Sequence, residues 1–359
     1  MNELAKLFYR CVAVVTLAAA CQPALAKERA VWNAAQAQAW SAQLPWMAGA
    51  DFIPSNAINQ LEMWQAESFD AALIDKELGF AKDIGMTVMR VYLHHLAWQQ
   101  DSQKFKRNID SYLAIAHKQG IRTVFVFFDD CWNEDYKSGP QPQAKPSVHN
   151  SGWLQDPGRL REMDLSYEDM LERYVKDVMS SFKDDARILL WDVYNEPGNT
   201  GLGLKSLPLL KKVFSWGRQV NPSQPLSAGV WNKDFAELNK FQIENSDVIT
   251  YHHYGSEKDH LAWIDWLAGQ TTKPLICTEY MARTIGSSFA DIMPMLKRKK
   301  IIAINWGLVA GKSNTIFAWN TPPGEGAEPK LWFHDIFRPD GSPFDARETT
   351  LIQRLTAKP

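Results

Sequence analysis

The sequence has few cysteines, almost no net charge, and no apolar run long enough to cross a membrane. Its 359 residues include 4 cysteines, 39 basic and 41 acidic side chains, for a formal net charge of −2. So few thiols exclude a disulfide scaffold and make thiol-based metal binding unexpected. The near-zero charge argues against nucleic acid or an anionic membrane surface as the partner.

The N-terminal residues have the pattern of an export signal. Two basic residues precede an apolar run from Cys11 to Ala20, and a small-x-small cleavage site ends at Ala26. The sequence therefore predicts a signal peptide over 1–26 and an exported mature chain over 27–359. A lipoprotein signal ending at Cys21 is the weaker alternative, because the large aliphatic residue such signals carry stands one position too early.

The mature chain repeats one unit, a short apolar strand followed by an amphipathic helix. Eight strands are predicted: Pro45–Phe52, Thr87–Leu93, Thr123–Phe128, Ile188–Tyr194, Leu226–Val230, Val248–Tyr254, Leu275–Glu279 and Ile301–Trp306. Helical patterns include Ala71–Ile84, Ile109–Lys118, Tyr167–Phe182, Leu207–Val220, His260–Ala268, Phe289–Lys299 and Asp345–Thr356. The alternation, with no break in composition, predicts an α/β protein, a single (β/α)₈ TIM barrel. A doubly wound sheet competes, but no G-x-G-x-x-G follows an early strand.

Two glutamates stand at predicted strand ends. Asn195-Glu196-Pro197 closes the fourth strand, since Pro197 has no N–H to continue a ladder. Glu279 closes the seventh strand, where period-2 alternation places it on one face with Leu275 and Cys277. Either glutamate alone reads as an ordinary surface residue. A carboxylate in a barrel mouth costs several kcal/mol unless it is partnered, so a purely structural role for Glu279 would be unusual.

Possible partners stand on neighbouring strands. Arg90 is a charge within an apolar strand, His252 and Tyr254 share a face of the sixth strand, and Trp306 closes the eighth. Each has a structural explanation on its own, as a rim arginine, a satisfied core imidazole or a packed ring. It is improbable that all of them stand at successive strand ends by chance. In a barrel, these strand ends form the rim of the active site.

These motifs resemble clan A of the retaining glycoside hydrolases, and most of all the cellulase-like glycoside hydrolase family 5. The resemblance implies that Glu196 is the acid/base and Glu279 the nucleophile. Arg90, Asn195, His252, Tyr254 and Trp306 match the clan's substrate-site positions. The chain departs from family 5 at the end of the third strand, where Asp129-Asp130 replaces the usual histidine.

The resemblance implies hydrolysis of a β-linked glucan, mannan or xylan by double displacement, with no metal or other cofactor. The pKa of Glu196 is expected to be raised by the nearby Glu279. The 15 tryptophans are compatible with sugar stacking, and a monomer is expected. Two alternatives stay open: a non-catalytic carbohydrate-binding barrel, and a metal-dependent barrel enzyme using Asp129, Asp130 and Glu196. The long loops 129–158 and 310–343 would decide which sugar binds.

Overall fold

Eight parallel strands form the centre of the computed structural model, which describes residues 28–159 and 166–357. The predicted signal peptide and Cys21 lie outside the described residues. The strands are β1 Ala48–Asp51, β2 Val88–Tyr92, β3 Arg122–Asp129, β4 Ile188–Asn195, β5 Leu226–Ser227, β6 Ile249–His252, β7 Leu275–Glu279 and β8 Ile302–Trp306. Their order around the sheet is β5-β4-β3-β2-β1-β8-β7-β6.

The seam between β5 and β6 is closed by a single parallel bridge from Val230 to Tyr251. The N–H of Val230 donates to the carbonyl of Thr250, and the N–H of His252 donates to the carbonyl of Val230, both at 3.0 Å. The sheet therefore returns to itself as the (β/α)₈ barrel that the sequence predicts.

Helices surround the strands. They are α1 Ala34–Ala42, α2 Gln60–Trp64, α3 Ala71–Asp83, α4 His95–Gln100, α5 Ser102–Lys118, α6 Ser166–Phe182, α7 Leu207–Val220, α8 Ala236–Asn245, α9 Glu257–Ala268, α10 Phe289–Arg298 and α11 Ala346–Thr356. Several begin at an Asp or Ser whose side chain accepts a backbone N–H of the first turn, among them Asp70, Asp101, Ser256 and Ser288. No helix among the described residues is long and apolar enough to span a bilayer.

Three sequence predictions need correction. The fifth strand ends at Ser227 instead of Val230, and Tyr254 lies in the loop beyond β6. Cys277 does not share a face with Glu279, because the β6–β7 ladder shifts register between Tyr251 and His252. As a result Cys277 packs outward, with its sulfur 3.9 Å from His260 of α9. A bulge of this kind interrupts the period of two on which the prediction depended.

The barrel interior changes from apolar to charged along its axis. Val88, Val124, Ile276 and Ile304 fill the amino-terminal end, which α1 covers. Each such side chain contributes roughly 1.5–3 kcal/mol when fully buried. Two residues after Val88 on the same strand, the fully buried Arg90 begins the charged layer. The apolar floor thus supports a polar site at the carboxyl ends of the strands.

Candidate active site

Glu196 directly follows β4 at the carboxyl end of the barrel. Its φ of 42° lies in the left-handed region, which non-glycine residues seldom adopt and which is enriched at functional sites. Oε1 accepts a hydrogen bond from Nδ1 of His252 at 2.8 Å. Oε2 accepts from Nδ2 of Asn199 at 2.5 Å and from the thiol of Cys131 at 3.3 Å. The side chain is 12% exposed, which leaves it an edge toward the cleft.

Glu279 ends β7 and is held by three donors. Oε1 accepts from Nη1 of Arg90 at 2.8 Å and from the hydroxyl of Tyr92 at 2.9 Å. Oε2 accepts from the hydroxyl of Tyr254 at 2.5 Å. Burial, together with the negative charge of Glu279, raises the pKa of both phenols. They therefore stay protonated and donate to the carboxylate of Glu279.

The two glutamates lie close to each other. One oxygen of Glu196, one oxygen of Glu279 and a ring nitrogen of His252 are all within 4.8 Å of one another. Nδ1 of His252 is 2.8 Å from Glu196 Oε1 and 3.5 Å from Glu279 Oε1. The barrel thus brings together two carboxyl groups that are 83 residues apart in the sequence.

Arg90, which donates to Glu279, also donates to two further buried acids. Its Nη1 donates to Asp51 at 2.8 Å, and its Nε and Nη2 donate to Asp192 at 3.0 and 2.8 Å. One guanidinium therefore faces three carboxyl groups, counting Glu279. Burial raises the pKa of Asp51 and Asp192, although the positive charge of Arg90 opposes this. This fixed arrangement orients Arg90 toward Glu279.

Asn195, the last residue of β4, has its amide orientation fixed by its neighbours. Its Oδ1 accepts from Nη2 of Arg90 at 2.7 Å, and its Nδ2 donates to Asp129 at 2.8 Å. Arginine can only donate, so the amide oxygen must face Arg90 and the amide cannot be reversed. The NH₂ group therefore lies toward Asp129 and the thiol of Cys131.

The neighbouring acids Asp129 and Asp130 have different roles. Asp129 faces the site and also accepts from Nε1 of Trp153 at 2.7 Å. Asp130 turns away and anchors the loop after β4, accepting from the hydroxyl of Tyr194 at 2.7 Å and the N–H of Gly198 at 2.8 Å. The ligand set of Asp129, Asp130 and Glu196 that a metal-dependent enzyme would need is therefore not assembled.

A cleft of about 500 Å³ contains both glutamates. This is the usual size of a small-molecule site. Trp306 ends β8 and has 9% of its surface exposed there. The other aromatic side chains that line the cleft come from loops after β3, β5, β6 and β8: Trp132, Trp153, Trp231, Tyr254 and Trp319.

The pKa of Glu196 differs from the expectation. Burial raises it, but the hydrogen bond and positive charge of His252, with donors from Cys131 and Asn199, outweigh burial and leave it below the usual value. Nε2 of His252 is buried with no hydrogen-bond partner among the described residues. Nδ1 therefore makes the one side-chain hydrogen bond of His252 among the described residues, and it goes to Glu196.

All seven sequence-predicted site residues meet around this cleft. Asn195, Glu196, Tyr254, Glu279 and Trp306 line it, while Arg90 and His252 contact the glutamates from below and beside. Sequence reasoning missed Tyr92, Asp51, Asp192, Cys131 and Asn199. Alternation along β2 could have identified Tyr92, which stands two residues after Arg90. Nothing local identifies Cys131 or Asn199, because both belong to loops.

Comparisons with known proteins agree with this geometry. The TIM barrel domain of glycosyl hydrolases family 2 matches residues 160–306, a range that contains both glutamates. No curated protein matches the chain by sequence.

Several solved structures share the fold. A glycoside hydrolase family 5 protein of Streptomyces cattleya, solved with Manβ1-4GlcNAc, has 12% identity and a TM-score of 0.59 over 86% of this chain and 79% of that one. The endo-1,4-β-mannanase of Rhizomucor miehei has 14% identity and a TM-score of 0.54, over 87% and 94%. An exo-β-1,4-mannosidase of an Opitutaceae bacterium has 14% identity and a TM-score of 0.59, over 88% of this chain and 61% of that one. The fold is that of glycoside hydrolase barrels. The resemblance expected from the sequence is confirmed at this level.

Proposed function

We propose that this protein is an exported retaining β-glycoside hydrolase, with Glu196 as acid/base and Glu279 as nucleophile. The observation that carries the proposal is the close approach of the two carboxyl groups, with oxygens within 4.8 Å, inside an aromatic cleft. Retaining enzymes hold their carboxyl groups about 5–5.5 Å apart, whereas inverting enzymes leave roughly 6.5–9.5 Å for a water molecule.

In the first step the Glu279 carboxylate attacks the anomeric carbon while the bond to the leaving oxygen breaks. Glu196 gives its proton to that oxygen, so the aglycone leaves as a neutral alcohol. Arg90, Tyr92 and Tyr254 hold the Glu279 carboxylate in position by hydrogen bonds before the attack. Trp306 forms the floor beneath the reacting sugar.

In the second step water attacks the anomeric carbon of the glycosyl-enzyme ester. Glu196, now a carboxylate, takes a proton from this water, and Glu279 leaves as a carboxylate. Both residues return to their starting state, and two inversions give net retention. The hydrogen bonds of His252, Asn199 and Cys131 stabilise the ionised Glu196 that acts as base here.

The proposed substrates are β-linked glucans, mannans or xylans, and mannosides come first. Solved structures with this fold include a mannanase and a mannosidase, and another holds Manβ1-4GlcNAc. A panel of aryl β-glycosides, followed by proton NMR of the first-formed anomer, tests the proposal. We expect a β product before mutarotation; an α product would reject Glu279 as nucleophile.

Two variants test the individual roles. Glu279→Gln should lose essentially all turnover on every substrate, because no ester can form. Glu196→Ala should lose far more activity on sugars with poor leaving groups than on activated phenyl glycosides, which need little proton assistance. Equal losses on both substrate types would contradict the assignment of Glu196, and full activity in either variant would reject the whole proposal.

The alternatives give different results in the same assays. A carbohydrate-binding barrel would bind the sugars without turnover, although binding alone requires neither glutamate. A metal-dependent enzyme would lose activity with EDTA, whereas the double displacement proposed here should be unaffected.

A further inference from the structure

The loops 129–158 and 310–343 are joined to each other above the barrel. The N–H of Asn150 donates to the carbonyl of Ser313 at 2.8 Å, and Nδ1 of His149 donates to the carbonyl of Phe317 at 2.7 Å. Further bonds connect Asn314 to Lys145 and Val148, and Gly326 to Ser147. We call this joined structure the loop wall.

At its centre the loop wall is packed into the protein and is not an exposed surface loop. The residues at its centre are buried, including His149, Asn150, Ser313 and Phe317. The segment after β1 supports it from behind, since Nδ2 of Asn59 donates to the carbonyl of Gly152 at 2.9 Å. Hydrogen bonds thus join the loops following β1, β3 and β8 to one another at the barrel mouth.

The chemistry proposed above fixes which end of the cleft this barrier closes. The leaving group must depart beside the acid Glu196, whose surroundings come from the loops after β4 and β5, including Asn199, Thr200 and Trp231. In the ring of strands, β4 lies opposite β8 and β5 lies opposite β1, so these loops are on the other side of the barrel mouth from the loops after β8 and β1. The loop wall reaches Glu196 only through Cys131, at the start of loop 129–158, among the hydrogen bonds of the described residues. Its loop 310–343 lies on the nucleophile side, where Tyr254 packs against Trp319 with ring centroids 5.1 Å apart. The glycone therefore lies toward the loop wall.

The loop wall also offers acceptors for sugar hydroxyl groups. Asn150 and His334 line the cleft, and Oδ1 of Asn150 and Nε2 of His334 are buried with no hydrogen-bond partner among the described residues. Nδ1 of His334 lies 2.5 Å from the carbonyl of Met281, which can only accept. Nδ1 therefore carries the proton, and Nε2 is a free acceptor. Buried acceptors without partners are costly unless a ligand supplies the donors.

We propose that the cleft is blind on its glycone side and holds a single terminal sugar, with Asn150 and His334 accepting its hydroxyl groups. The enzyme then removes one sugar at a time from the non-reducing end. This rests on the proposed glycosidase function. The opposite end, beside Thr200 and Trp231, receives the remainder of the chain.

The test uses the unmodified protein and a β-1,4-linked tetrasaccharide labelled at its reducing end, built from the sugar whose aryl glycoside is cleaved. We expect the first products to be the labelled trisaccharide and the free monosaccharide. A second tetrasaccharide, bearing a bulky ether on its non-reducing terminal sugar, should resist hydrolysis. Cleavage of the blocked chain, or a first labelled product shorter than the trisaccharide, would overturn the proposal. Hydrolysis of neither aryl glycosides nor oligosaccharides would instead overturn the underlying glycosidase assignment.

A variant tests the contact directly. Asn150 has φ 47°, so Asn150→Gly removes the acceptor and keeps the backbone conformation. We expect kcat/KM on the aryl monosaccharide glycoside to fall roughly tenfold, as one lost hydrogen bond allows. Asn245→Ala in α8, outside the loop wall and the cleft, should leave it unchanged. Equal kcat/KM in Asn150→Gly and the parent protein would overturn the role given to Asn150.

Discussion

Asn199 stabilises the charged form of the Glu196 carboxyl group. Its NH₂ group donates to Oε2, which with the His252 and Cys131 donors holds the pKa of Glu196 below its usual value despite burial. Removing this donor in Asn199→Ala should raise that pKa. The acid must be protonated for the first step, so the basic limb of the pH–kcat/KM profile should move to higher pH.

The control for this prediction is Asn245→Ala in α8, where the amide bonds only to the carbonyl of Phe241. Its profile should match that of the parent protein. An unmoved basic limb in Asn199→Ala would show that this amide does not influence the protonation of Glu196.

Arg90 is the only arginine or lysine within hydrogen-bonding distance of Asp51, Asp192 and Glu279 among the described residues. Arg90→Met leaves three buried acids without it, and breaking a buried pair costs about 3–5 kcal/mol. We therefore expect a lower unfolding midpoint as well as a large fall in kcat. The acidic limb of the pH–rate profile should move to higher pH, because lost positive charge favours the protonated nucleophile.

Arg90→Lys is the matched control, since it restores the charge but not the planar donor geometry that reaches several acceptors at once. It should recover part of the stability and less of the rate. Near-normal rate and an unshifted acidic limb in Arg90→Met would show that Arg90 is only structural.

Alternation along strands could have predicted more of this network than it did. Gly49 and Asp51 in β1, and Leu190 and Asp192 in β4, repeat the apolar-to-charged step seen from Val88 to Arg90. Searching each strand for a charged residue two positions after an inward apolar or small residue would have found both acids. The lowered pKa of Glu196 was beyond this approach, because two of its causes, Cys131 and Asn199, come from loops.

At the scale of elements, the loop after β4 depends on Asp130. Its carboxylate accepts from the hydroxyl of Tyr194, the N–H of Gly198 and the hydroxyl of Ser206. Asp130→Asn would place an NH₂ group against donors on at least one side, at a cost of roughly 1–3 kcal/mol. We expect a lower unfolding midpoint and a reduced kcat, since this loop carries Glu196.

Measuring kcat together with the unfolding midpoint distinguishes a loss of loop stability from a direct effect of Asp130 on the catalytic glutamates. Activity of Asp130→Asn, measured well below its unfolding midpoint, should keep the pH profile of the parent protein, because Asp130 does not contact the glutamates. A displaced profile would mean that Asp130 takes part in the titration of the site.

Element prediction succeeded where the hydrophobic pattern was strong and failed where polar residues are buried. The eight strands and the helices α3, α5, α6 and α7 were predicted from clear periods, whereas the short α4 was not predicted. In α8 the buried residues are Leu238, Asn239 and Gln242, so two of three are polar and the apolar stripe is hidden. The bulge between β6 and β7 reversed the facing of Cys277 for a reason that no single strand reveals.

At the scale of the whole molecule, the sequence predicted a ring of strand ends but not how loops close over it. Loops 129–158 and 310–343 are far apart in sequence, and their contacts are mostly to backbone carbonyls. Backbone acceptors leave no signature in residue type. The loop wall could therefore be recognised only in three dimensions.

Several buried acids link the stability of the whole barrel to pH. Burial raises the pKa of Glu77 to about 7, against the hydrogen bonds it accepts from Ser55, and also raises the pKa of Asp335 to about 6. A carboxyl group whose pKa is higher in the folded state adds stability at pH below its unfolded value of 4.5. That stability is lost as the pH rises through about 7. For Glu77 the difference is at most about 3 kcal/mol.

Glu77→Gln removes this titration while keeping an oxygen that can accept from the N–H of Ser55, which Glu77 contacts at 3.1 Å. Relative to the parent protein, the variant should therefore gain stability between pH 4.5 and pH 8. Calorimetric unfolding midpoints at the two pH values measure the difference, and Glu67→Gln, at an exposed position, is the control. If the variant and the parent protein lose the same stability from pH 4.5 to 8, the charge on Glu77 does not limit the stability of the barrel. The other buried acids with raised pKa values then become the next candidates: Asp51, Asp129, Asp192 and Asp335.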